Sequence, residues 1–102
     1  MKTLPALLAT ASLLSTMTAF ASPDLARQRL CMSCHAVERK VIGPSFKEIA
    51  QRYAGQAGAQ ARLADKIVNG GSGAWGAVPM PANPKVTPEE ARQLAAWVLS
   101  IK

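Results

Sequence analysis

The feature that most constrains this chain is the run Cys31-Met32-Ser33-Cys34-His35, which holds both of its cysteines and its only histidine. On a helical stretch the two thiols lie about one turn apart, and the histidine follows the second of them directly. Whatever these three side chains do, they do together and at one place. Two cysteines cannot build the multi-bridge framework of a small secreted domain, and no repeat or low-complexity tract is present. A disulfide scaffold and a solenoid are therefore excluded. The 102 residues leave room for one domain. Hydrophobic residues make up 49%, a globular composition, but only 5% is aromatic. Large side chains to fill a core are scarce, and something else is expected to help fill the interior.

The N-terminus shortens the problem. Lys2 gives a positive start, Leu4 to Leu14 is mostly apolar with Pro5 and small residues inside it, and Ala19-Phe20-Ala21 is a small-x-small cleavage site. Residues 1–21 are expected to be a secretory signal peptide, removed after Ala21. An uncleaved membrane anchor is the alternative, but Thr10, Ser12, Ser15, Thr16 and Thr18 break the stretch short of about 20 firmly apolar residues. The mature domain then spans residues 22–102 and, without Lys2, carries 11 basic against 6 acidic residues, a formal +5. At that size a core alone is marginal, and natural solutions add disulfides, a metal or a cofactor.

Four helical stretches follow from caps and periodicity. Ser22-Pro23 is an N-cap followed by a proline at the first helical position, with Leu25, Ala26 and Leu30 on one face, and this helix runs into Cys31. Ser45 with Glu48 is a capping box that opens a short helix through Phe46, Ile49, Ala50 and Tyr53, closed by Gly55. A third helix, about Ala59 to Asn69, buries Leu63, Ile67 and Val68, and Asn69-Gly70-Gly71 stops it. From Gly70 to Val86, glycines and prolines forbid a long helix or a central strand, yet Trp75, Val78 and Met80 need burial. A loop this long in a compact domain is usually functional. Thr87-Pro88-Glu89-Glu90 starts the last helix with a proline and a second capping box, and Ala91, Leu94, Ala95, Val98, Leu99 and Ile101 form its apolar stripe. No alternating strand pattern competes, so the chain is expected to be strand-free.

Coincidence is a poor account of a sole histidine placed directly after the second of two cysteines. C-x-x-C-H is the attachment signature of c-type haem: two thiols a turn apart form thioethers with the vinyl groups on one porphyrin edge, and the next residue supplies an imidazole ligand to the iron. A structural zinc site needs four ligands, and the chain offers three Cys and His in all. A thioredoxin-type dithiol wants a βαβ context and an activating helix N-terminus, whereas these cysteines end a helix. A plain Cys31–Cys34 disulfide would leave His35 and the Gly/Pro loop unexplained. Cys31 and Cys34 are therefore expected to hold one covalent haem c, with His35 as an axial ligand. The other axial ligand follows by elimination, because a strong-field partner is a second His or a Met and there is no second His. Met1 and Met17 leave with the leader, and Met32 sits inside the attachment loop. Met80 remains, and prolines on both sides of it would hold its sulfur at a set distance, which a gap-filling core methionine does not require.

With these residues in hand, the chain resembles the small class I bacterial cytochromes c of the cytochrome c-551 type. The resemblance covers the mature chain and is carried by Cys31-Met32-Ser33-Cys34-His35, Val41-Ile42-Gly43-Pro44, Tyr53-Ala54-Gly55, Ala96-Trp97-Val98-Leu99-Ser100 and, most specifically, Gly73-Ala74-Trp75-Gly76-Ala77-Val78-Pro79-Met80-Pro81. It implies an all-α class I cytochrome c fold, four to five short helices wrapped around one covalently attached haem, with the terminal helices crossing. It implies that the Pro44 carbonyl accepts from the His35 imidazole, that Trp75 donates its indole N–H to a haem propionate, and that Asn83 hydrogen-bonds near the Met80 sulfur. Lys66 and Arg62 become candidates to neutralise propionates, with a solvated helix face as the alternative. One departure is that Met80 is followed by Pro81-Ala82, where the family commonly has two prolines.

The function these features imply is a one-electron carrier in the periplasm, not an enzyme, since two axial ligands leave no substrate position on the iron. Two ionised propionates would take the formal +5 to about +3, enough to steer a monomer toward acidic patches on redox partners. The expected donors are a quinol-oxidising complex or another cytochrome, and the expected acceptors a nitrite reductase, a terminal oxidase or a peroxidase. Export and the dispersed basic residues argue against nucleic acid, and no stable membrane insertion is expected. The rival is an enzyme or sensor in which Met80 leaves the iron and opens a ligand position.

Overall fold

Two capping boxes set the helical frame. In the computed structural model, which describes residues 1–3, 12 and 22–102, the Ser45 hydroxyl accepts from the Glu48 amide at 3.0 Å and the Glu48 carboxylate accepts from the Ser45 amide at 3.2 Å. Thr87 and Glu90 repeat the exchange at 3.1 and 3.4 Å. Each such cap contributes on the order of 1 kcal/mol by pairing amides that a helix start leaves without partners. The expected leader and its cleavage site lie almost wholly outside the described residues.

In chain order the elements are α1 (Ser22–Gln28), a single 3-10 turn (Cys31–Ser33), α2 (Phe46–Tyr53), α3 (Ala59–Asn69), a hairpin of β1 (Gly71–Gly73) and β2 (Gly76–Met80), and α4 (Pro88–Ser100). Four α-helices and a 3-10 turn match the expected four to five short helices. The stripe Ala91, Leu94, Ala95 and Val98 buries α4 against Leu25 and Ala26 of α1, Ala64 of α3, and Phe46 and Ile49 of α2. Ala26, Ala91 and Ala95 are wholly buried, and such small residues let helix backbones approach closely. The terminal helices are also tied by polar contacts. Arg29 pairs with Glu90 at 2.7 Å, and the Ser22 hydroxyl donates to the Gln93 carbonyl at 3.3 Å.

Three expectations are corrected. Leu30 does not lie on the buried face of α1: the helix ends at Gln28, and Leu30 takes a left-handed backbone (φ 62°) and stands exposed. The chain is not strand-free, because β1 and β2 pair antiparallel, with Gly71 opposite Met80 and Gly73 opposite Gly76. Pro79 is tolerated there because both strands of a two-stranded ribbon are edges, and a missing N–H can face away from the partner. Leu63, Ile67 and Val68 of α3 are only partly buried, and Leu63 and Ile67 face a cavity as well as the core.

Candidate functional site

Between α2, α3, α4, the Cys31–Pro44 segment and the hairpin lies a cavity of about 380 Å³. That is within the usual range of small-molecule and cofactor sites, which are concave and mostly apolar. Its lining includes Leu30, Ile42, Trp75 and Val78, and these four are among the exposed large hydrophobic side chains. Apolar surface of that kind gathered in one concavity marks a place meant to be covered. Val78, expected to need burial, instead stands exposed on this lining, and Met80 there is half-buried.

Cys31, Cys34 and His35 all line this cavity. The 3-10 turn begins at Cys31, and Cys34 and His35 follow it directly, their amides both donating to the Cys31 carbonyl, at 3.2 and 3.0 Å. Both thiols are free. Burial pushes the Cys31 thiol pKa up, away from the reactive thiolate of a redox dithiol. The His35 ring is fixed from two sides. It stacks on Phe46 with centroids 5.0 Å apart, and its Nδ1 lies 2.7 Å from the Pro44 carbonyl oxygen. A carbonyl only accepts, so Nδ1 carries the proton and Nε2 keeps its lone pair free for a metal.

The loop that bears Pro44 is shaped for this contact. The Gly43 amide donates to the Cys34 carbonyl at 2.8 Å, and a Cβ on Gly43 would lie 2.6 Å from His35 Cε1. Only a glycine lets the backbone approach the ring so closely. Gly43 carries no chemistry of its own to mark it as a site residue in the sequence. Its position directly before Pro44 is the one local signal.

Met80 also lines the cavity, whereas Met32 packs against the two hydrophobic clusters of the core. The Met80 loop is pinned to the C-terminus of α3: the Asn83 side-chain amide donates to the carbonyls of Ile67 at 2.8 Å and Pro81 at 3.4 Å, and its backbone amide donates to Val68 at 3.1 Å. The structure thus brings Asn83 to the cavity wall beside Met80, where its side-chain amide meets the carbonyls of Ile67 and Pro81. Gly70, at φ 71°, allows the approach, since a Cβ there would meet the Met80 carbonyl oxygen.

Lys66 lines the cavity beneath β1, its ammonium lying against Gly71. Arg62 is not brought to the site: it turns outward, donating to the Ala57 carbonyl and the Gln56 side chain at 3.2 and 2.8 Å. Lys40, from the loop after His35, lines the cavity instead, and no local pattern in the sequence marks it. Trp75 sits at the rim with the Arg52 guanidinium over its ring.

The residues present fit the expected haem: an apolar cavity, two free thiols, one imidazole with a free nitrogen and one thioether, with cations at the wall for anionic groups. Comparison with known proteins agrees. The cytochrome c family model matches residues 22–102. The chain is similar to cytochrome c-551 of Pseudomonas aeruginosa, 47% identical over 97 residues that cover 94% of this chain and 92% of the relative. It is similar to cytochrome c-552 of Hydrogenobacter thermophilus, 52% identical over 83 residues, 81% of this chain and 84% of the relative. Its fold superposes on the crystal structure of wild-type cytochrome c552 of Nitrosomonas europaea with a TM-score of 0.77 and 48% identity, over 78% of this chain and 99% of that one.

Proposed function

Since the chain belongs to the cytochrome c family and is a small c-type cytochrome electron carrier with one covalently attached haem c, we propose that it works in the periplasm with His35 and Met80 as axial ligands. Haem c supplies a one-electron Fe(II)/Fe(III) couple when bound. The chain's own residues do the rest. Cys31 and Cys34 anchor the group by thioether bonds, and His35 offers Nε2 while the Pro44 carbonyl holds its ring in place and raises its basicity. Met80 offers sulfur from a loop tied to α3 by Asn83. Trp75 and Lys66 serve anionic groups at the rim, and Leu30, Ile42 and Val78 exclude water, which keeps the local dielectric low and favours the less charged ferrous state. A His/Met pair acts in the same direction by raising the potential.

The observation that carries this reading is the 2.7 Å contact between His35 Nδ1 and the Pro44 carbonyl, which dedicates the other ring nitrogen to the cavity that Met80 also lines. Export follows from the leader read at residues 1–21, with cleavage after Ala21, and from the need to attach haem on the outer side of the membrane. Partners are redox proteins with acidic patches: a quinol-oxidising complex or cytochrome as donor, and a nitrite reductase, terminal oxidase or peroxidase as acceptor. The test is a visible spectrum of the purified holoprotein. Ferric protein with the weak near-red band of sulfur ligation, and ferrous protein that does not take up carbon monoxide, are expected. High-spin ferric iron at neutral pH would overturn the reading.

A further inference from the structure

We propose that Arg52 is a positioning residue that clamps the tip of the β1–β2 hairpin and fixes the face Trp75 turns to the cavity. The inference rests on the reading of that cavity as the haem site. The hairpin turns through Ala74 and Trp75, the two residues between β1 and β2. Arg52, in the last turn of α2, reaches both of them. Its Nη1 donates to the Ala74 carbonyl, and its guanidinium carbon lies 3.5 Å from the centroid of the Trp75 ring.

The tip has little else to hold it. Gly73 and Gly76, which flank it, have φ of 96° and 110°, and a Cβ at either would meet nothing within 4 Å. Glycines at positive φ let the turn form but leave it conformationally free. An aromatic ring at such a tip could face the cavity or swing to solvent. Arg52 selects between these, because a planar guanidinium can donate to a carbonyl in its plane and stack on a ring with its face at the same time. A lysine offers a point charge without that plane, so it can make the first contact or approximate the second, but not hold both in one geometry. Arg52 also places a fixed positive charge on the outer side of Trp75, next to the rim.

The experiment uses the holoprotein and compares Arg52→Ala, Arg52→Lys and Arg62→Ala. Arg62 is an exposed arginine whose bonds go to Gln56 and Ala57, so it controls for the loss of one surface charge. Two readouts are taken: solvent exchange of the Trp75 indole N–H by NMR, assigned by its loss in Trp75→Phe, and the Fe(II)/Fe(III) ratio at fixed ambient potential. Arg52 is itself exposed, so its replacement opens no core cavity. Expected are at least tenfold faster indole exchange in Arg52→Ala and at least a threefold shift of the ratio toward ferric, with Arg62→Ala close to wild type in both. Arg52→Lys keeps the charge and should still exchange at least threefold faster than wild type. Unchanged exchange in Arg52→Ala, or full restoration of both readouts by lysine, would overturn the proposal. Indole exchange is read with no redox partner, so failure of this clamp is distinguishable from failure of the carrier reading, which the spectrum tests.

Discussion

Gly43→Ala is the substitution whose effect follows most directly from the geometry. The new Cβ would lie 2.6 Å from His35 Cε1 and 3.0 Å from Nδ1, and ordinary contact begins near 3.4 Å. Relief requires a separation of about 0.8 Å between ring and loop. The ring cannot easily give way, because it stacks on Phe46 and follows a cysteine that the thioether would fix. The loop must move, and it carries Pro44. A 2.7 Å hydrogen bond opened by that much falls at the outer limit of a hydrogen bond. Its loss costs roughly 0.5–1.5 kcal/mol of stability, or about 4–8 °C in Tm per kcal/mol for a domain of this size. It also makes the imidazole a weaker electron donor, which destabilises Fe(III) more than Fe(II), so the reduction potential rises. The assays are a thermal melt and a redox titration of the holoprotein, with His35 Nδ1–H exchange followed by NMR. A Gly43→Ala protein with wild-type potential and a wild-type, protected Nδ1–H would refute the reasoning.

Glu90 contributes to the pH dependence of stability. Its hydrogen bond to Arg29 holds the carboxyl below the usual carboxylate range, aided by Thr87. A group with a depressed folded pKa stabilises the fold above its unfolded pKa, and that stability is lost as pH falls through the folded value. Glu90→Gln should therefore lower Tm at neutral pH and flatten the acid limb of a melt-versus-pH series; an unchanged acid limb would show the pair to be idle. The excess of basic residues predicts that electron transfer to an acidic partner slows as ionic strength rises, measured by stopped flow, and a salt-independent rate would remove steering from the account.

What could be read in the sequence was what depends on residues close in the chain. Both capping boxes and the stop at Asn69-Gly70 are local hydrogen-bond and φ preferences, and each is found where expected. The attachment motif is local as well. The Pro44 contact is legible only through the family resemblance, and in the structure His35 Nδ1 lies 2.7 Å from that carbonyl. The hairpin was hidden because β1 has no side-chain alternation to detect, being Gly-Ser-Gly, and the apolar residues of β2 face a cavity instead of a sheet-covered core. Leu30 misled for a related reason. Its place in the helical period suggested burial, but the chain leaves the helix two residues earlier and aims it at the cavity. Lys40, Arg52 and Arg62 are surface cations with no local signature. Which of them reaches the site depends on how loops and helices meet, and periodicity does not carry that information.

Met80→Ala asks whether Met80 completes the coordination begun by His35. A lower reduction potential and a ferrous protein that takes up carbon monoxide are expected, with the haem still covalently bound through Cys31 and Cys34. An unchanged potential with no carbon monoxide binding would show that Met80 is not the ligand.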